Sequence, residues 1–80
     1  MKKSTRKDIR KYTAVFEPAL EGGYVVYVPS LPGCVTQGET FEEAQMMVRD
    51  AIDGYIAVLK ADEEAVPIER PGVVISEVYC

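Results

Sequence analysis

Catalysis needs groups that attack, carry protons or hold metals, and this chain offers few of them in useful company. It has no histidine, so a nucleophile paired with an imidazole base is excluded. Its two cysteines, Cys34 and Cys80, form no CxxC pair and no disulfide framework. Cys34 follows a Pro-Gly turn with no cationic neighbour in sequence to favour its thiolate, so it reads as a small strand residue. Two thiols without histidine are too few for a zinc site. Thirteen acids remain, and two-metal nuclease chemistry would need several of them converging on ions about 4 Å apart. The first strand's only acid, Glu17, sits at its end beside Pro18. The next two strands supply none before Glu39, and Glu42, Asp53 and 62–64 fit a solvated helix face and loop. No phosphate loop, dinucleotide fingerprint, zinc finger or RNA-binding motif is present. Pro29-Ser30-Leu31-Pro32 matches PxxP, but its flanking strands make it a turn. The residues thus point to no catalytic residue, no metal and no cofactor, and to a small binding module.

Eighty residues allow one domain with a modest core, so a partner or a second copy is expected to add stability. The net charge of −4 conceals two parts. Residues 1–11 carry six bases and one acid, a basic arm; residues 12–80 carry three bases and twelve acids. An acidic body repels nucleic acid and attracts basic proteins. No apolar core follows the basic start, so it is not a secretory signal. No run approaches the roughly 20 apolar residues of a membrane span. A cytoplasmic protein is the expectation.

Four β-segments and one helix are legible. Residues 12–16 place Tyr12, Ala14 and Phe16 on one face of a strand. Gly22-Gly23 turns the chain into a second strand, 24–28, which is β-branched or aromatic throughout. A third strand covers 34–37, and the three should form an antiparallel meander. Phe41, Ala44, Val48, Ala51, Ile52, Tyr55 and Leu59 then recur at helical spacing over 41–61. Thr40 and Glu43 form a capping box, with Glu43 reaching back to the Thr40 amide. Gly54 inside the helix predicts close contact with the sheet, and Met46 falls outside the apolar stripe. Pro67 and Pro71-Gly72 keep the connection extended, and 73–78 alternates as a fourth strand. The class is α+β, in the order β-β-β-α-β, with the long helix on one sheet face. The domain is 12–80, preceded by the 1–11 arm.

The segment 28–44, VPSLPGCVTQGETFEEA, is the most specific part of the chain. Gly23-Tyr24-x-Val26, then Leu31, Pro32, Gly33, Cys34, Thr36 and Gly38-Glu39-Thr40, with Glu43-Ala44 on the helix, resemble the HicB family of bacterial antitoxins. The resemblance covers about 12–67. It implies a truncated ribonuclease H-like fold without that fold's catalytic acids. It also implies a partner, HicA, a small basic toxin that cleaves mRNA through a histidine. Ser30 departs from many relatives, which carry an acid between the first proline and the leucine of the turn. Many relatives also carry a C-terminal DNA-binding domain; this chain ends after one more strand, so direct DNA binding is not expected. On this reading Glu21, Tyr24 and Tyr27 of the second strand and its turns, with Glu39 and Glu42 at the helix start, are the candidate toxin contacts. Tyrosines supply rigid contact area and acids steer a basic partner. A homo-oligomer is expected, with 73–78 as the element most able to pair between chains. The runner-up is a nucleic-acid-binding or vestigial nuclease domain that uses the basic arm.

Overall fold

The computed structural model describes residues 10–69, 74 and 76–79. Three strands, β1 (Val15–Pro18), β2 (Tyr24–Tyr27) and β3 (Val35–Gly38), precede a single helix, α1 (Phe41–Ala61). The strands form an antiparallel sheet in the order β1-β2-β3, the arrangement the alternating pattern predicts. The first and third strands begin later than expected, at Val15 and Val35 instead of 12 and 34. Tyr12, Ala14 and Phe16 nevertheless pack on the core side together, as their alternation requires. The 1–9 part of the basic arm and Cys80 lie outside the described residues.

Register fixes the two sheet faces, because directly paired residues point the same way. Phe16, Val26 and Thr36 form one cross-strand row, and Pro18, Tyr24 and Gly38 the next; Val26 is fully buried, so this face lies under α1. The other face carries the rows Val15–Tyr27–Val35 and Glu17–Val25–Gln37. The helix packs over β3 and β2. Its buried side chains are Ala44, Val48 and Ile56, with Ala51, Ile52 and Tyr55 half-buried around the core. Ile56 joins the apolar face although the stripe read from sequence omits it. Phe41 lies at the margin, its ring 4.7 Å from that of Phe16 and 5.9 Å from that of Tyr24.

Two close approaches fix the helix on the sheet. At Gly38 an added Cβ would lie 2.5 Å from the Ala44 nitrogen and 2.7 Å from its Cα. Only glycine lets the backbone of β3 come so near the first helical turn. At Gly23, φ is +76° and a Cβ would meet the Gly38 carbonyl oxygen at 2.5 Å, so the β1–β2 turn rests on the end of β3. Gly54, in contrast, has open space around it and is exposed. The sheet contact predicted for it belongs to Gly38.

Between β2 and β3 the chain knots itself into the core. Leu31 N–H donates to the Val28 carbonyl at 3.0 Å, and Cys34 N–H to the Leu31 carbonyl at 2.9 Å. Val28 N–H donates to the Cys34 carbonyl at 3.1 Å. Gly33 turns the backbone at φ +86°. Leu31, Val28 and Cys34 are thereby buried, and full burial of a leucine side chain contributes roughly 1.5–3 kcal/mol.

The helix termini follow local chemistry. Thr40 caps the N-terminus, its hydroxyl accepting from the Glu43 N–H at 3.0 Å. The Glu43 carboxylate reaches back to the Glu39 amide, one residue beyond the Thr40 amide that a standard capping box predicts. At the other end Glu64 N–H donates to the Leu59 carbonyl at 2.8 Å and Glu63 N–H to that of Lys60 at 3.1 Å. This is a Schellman closure with Glu63 in the left-handed region, φ 57°.

The fourth strand expected over 73–78 is not part of this sheet among the described residues. Positions 74 and 76–78 take no strand conformation and are exposed; 73 and 75 lie outside the described residues. Alternation creates a strand only where an edge and a cover are supplied.

Glycine positions provide opposite-signed tests. Gly38→Ala should destabilise the fold by about 1–3 kcal/mol through overpacking against backbone, whereas Gly54→Ala should stabilise it by about 1 kcal/mol. Chemical denaturation of both variants reads the signs. Glu63→Gly should raise stability by about 1 kcal/mol, since the left-handed residue then carries no Cβ, and the same measurement reads it.

Candidate functional site

The five candidate contact residues divide between two places. Glu21 lies in the exposed β1–β2 turn and Glu39 and Glu42 at the exposed helix start. The contact of Gly23 with the Gly38–Glu39 backbone brings turn and helix start together. Tyr24 sits on the helix side of the sheet, its ring edge-on to Phe41, so it supports this end of the fold more than it presents a free ring. Tyr27 is on the opposite face, in the row between Val15 and Val35. That helix-free face is apolar at its centre, with Val35 at 58% exposure, and has Glu17 and Gln37 in the neighbouring row.

The family-motif turn is architectural. Leu31 and Cys34 are core, Gly33 supplies the turn, and Gly38 the helix approach. Pro32 is exposed, and its carbonyl accepts from the Tyr55 hydroxyl at 2.8 Å, tying the turn to the middle of α1. Burial pushes the Cys34 thiol above its ordinary pKa, which disfavours thiolate chemistry there.

A second feature escaped sequence reasoning. Because α1 lies over β2 and β3, the inner face of β1 is left as the wall of a groove of about 790 Å³ against the helix. Ala14, Phe16, Val48 and Ile52 supply its apolar surface, and Arg10, Lys11, Arg49 and Lys60 its cationic rim, with Asp53 among them. These four are all the Lys and Arg side chains among the described residues. Only their convergence in space, from 10–11 and from one side of α1, makes the cationic groove; the sequence spreads them over fifty positions.

The strap after the helix is clipped to the start of this groove. The Tyr12 hydroxyl donates to the Pro67 carbonyl. The Glu69 carboxylate accepts from both the N–H and the hydroxyl of Thr13, and from the Ser30 hydroxyl at 3.4 Å. The Thr13 hydrogen bonds, with help from Ser30 and from the positive charge of Lys11, hold the Glu69 carboxyl below its usual pKa. Among the described residues no three His, Cys, Asp or Glu side chains form a metal-holding group. No helix there is long and apolar enough to cross a membrane.

Comparison with known proteins gives these faces a context. Residues 12–76 match a family described as the HicB-like antitoxin of bacterial toxin-antitoxin systems. A UPF0150 protein of Synechocystis is 46% identical over 65 residues, covering 81% of this chain and 82% of the relative. A UPF0150 protein of Thermoplasma acidophilum is 47% identical, covering 71% and 83%. Antitoxin HicB of Escherichia coli K12 is 36% identical over 61 residues, which span 76% of this chain but 44% of that antitoxin. The chain belongs to the HicB-like antitoxin family.

The Glu69 clip predicts an acid-sensitive fold. A depressed folded-state pKa means that the clip stabilises the protein above the ordinary carboxylate range and is lost as pH falls through the lowered folded value. Glu69→Gln should lower the melting temperature at neutral pH, and the gap to the wild type should close in acid. A gap of equal size at pH 3 and pH 7 would contradict the clip.

Proposed function

We propose that this member of the HicB-like antitoxin family is a non-enzymatic binding protein that sequesters a small basic HicA-type ribonuclease in the cytoplasm. The observation that carries the reading is the family match across 12–76, on a body whose charge suits that partner. From residue 12 onward the chain has twelve acids against three bases. The acids at the helix start and the β1–β2 turn, Glu39, Glu42 and Glu21, steer a basic protein towards the sheet. Tyr27, with Val15 and Val35 beside it, supplies the dry contact area. The cationic groove faces such a partner with like charge and is the wrong side for it. Inhibition on this reading is stoichiometric: the toxin's RNA-holding surface is occupied by protein.

The direct test is RNA cleavage by a HicA-type ribonuclease, titrated with the purified protein. The expected result is cleavage that stops at a fixed molar ratio. Cleavage of RNA by the purified protein itself, with magnesium or manganese added, would replace this reading with the nuclease one. RNA binding that falls steeply with salt and disappears with residues 1–11 would favour the nucleic-acid reading.

The steering acids make a kinetic prediction. Glu39→Lys with Glu42→Lys should slow association with the toxin at low salt and flatten its salt dependence, because both residues are exposed. Stopped-flow association at two ionic strengths measures it, and an unchanged on-rate would move the interface away from the helix start.

A further inference from the structure

We propose that the groove between β1 and α1 is a binding site for a small amphipathic anion, an extended apolar chain ending in one carboxylate or phosphate. Its volume of about 790 Å³ falls within the roughly 300–1,000 Å³ of small-molecule sites. Its shape is long. The helix residues that line it run from Gln45 to Lys60, about 22 Å at 1.5 Å per residue. Ala14 and Phe16 from β1 and its approach face Val48, Ile52 and Ile56 across it, so both walls are apolar. A straight hydrocarbon chain laid along the helix would remove these walls from water.

The charges name the sign of the head group. From residue 12 onward the chain has three bases against twelve acids. Two of those three bases, Arg49 and Lys60, line the groove, and Arg10 and Lys11 join them from the other side. Asp53 is the one acid among the lining residues. Arg49 and Lys60 are eleven positions apart, close to three full turns, so they stand on the same side of α1. Ile52 and Ile56 lie between them in sequence and form the wall there. An apolar strip flanked by cations at both ends offers an anionic head a partner whichever way the chain is laid.

The same features favour a compact anion over a nucleic acid strand. A strand long enough to leave the groove would meet the acidic remainder of the body. Base stacking needs open aromatic faces, and the aromatic side chains here are engaged. The Phe16 ring lies 4.7 Å from that of Phe41, and the Tyr12 hydroxyl donates to the Pro67 carbonyl. The site is also separate from the acidic surface proposed to meet a toxin, so its failure would leave that reading standing.

The test titrates the isotope-labelled full chain with decanoate and follows amide shifts by NMR. Saturable binding with a dissociation constant below about 1 mM is expected, with the largest shifts at 14–16 and 48–60. Decyl phosphate should move the same residues, and decyltrimethylammonium, with the same chain and the opposite charge, should bind at least about tenfold more weakly. Arg49→Gln should weaken decanoate several-fold and Asp53→Asn should tighten it; both positions are exposed, and opposite signs are not the mark of misfolding. Ala57→Trp, at an exposed position in the lining, should block the chain while helix content by circular dichroism stays unchanged. Equal binding of the anionic and cationic amphiphiles would overturn the proposal, because it would show adsorption to apolar surface alone. So would shifts centred on the helix-free sheet face, an absence of saturation up to about 5 mM, or displacement of decanoate by a short uridine oligonucleotide.

Discussion

The contact between Gly38 and the first turn of α1 governs this molecule. Backbone there approaches backbone as closely as glycine permits, with Ala44 directly against β3. The helix is therefore seated over β3 and β2. A helix is about 10 Å wide with its side chains, and strands lie about 4.8 Å apart, so one helix covers about two strands. Everything distinctive in the surface follows. The inner side of β1 is left as a groove wall, and the far face of the sheet carries no helix.

The charges sort onto this geometry. Every described base lines the groove, while the helix start and the β1–β2 turn present Glu21, Glu39 and Glu42. A small protein whose bases gather on one side discriminates between partners by orientation as well as by affinity. Under the proposed function, the acidic side is the one that meets a basic enzyme. The strap after the helix is anchored by Glu69, whose carboxylate stands against Ser30 and Thr13.

Much of this was legible from residue types. Alternation at Tyr12, Ala14 and Phe16 and the helical stripe from Ala44 to Tyr55 placed the core side of each element correctly, because burial imposes those periods. The Pro-Gly turn around Leu31 to Cys34 announced itself through residues whose backbone angles are restricted. What failed was long-range. Gly54 and Gly38 look alike in a sequence, and only the packed helix decides which one is pressed against a neighbour. Tyr24 and Tyr27 look like one aromatic surface, yet an odd separation of three puts them on opposite faces. The cationic groove depends on Arg10 and Lys11 meeting Arg49 and Lys60, a convergence no local pattern encodes. The alternation of 73–78 states that the segment wants an edge, without stating whose.

Hydrogen exchange of the protein alone and with a basic HicA-type toxin tests this division of the surface most directly. The predicted result is new protection at 25–27, 35–37 and the helix start, with the groove side of α1, from 49 to 60, unchanged. Protection concentrated along that groove, with the helix-free sheet face unaffected, would contradict the account.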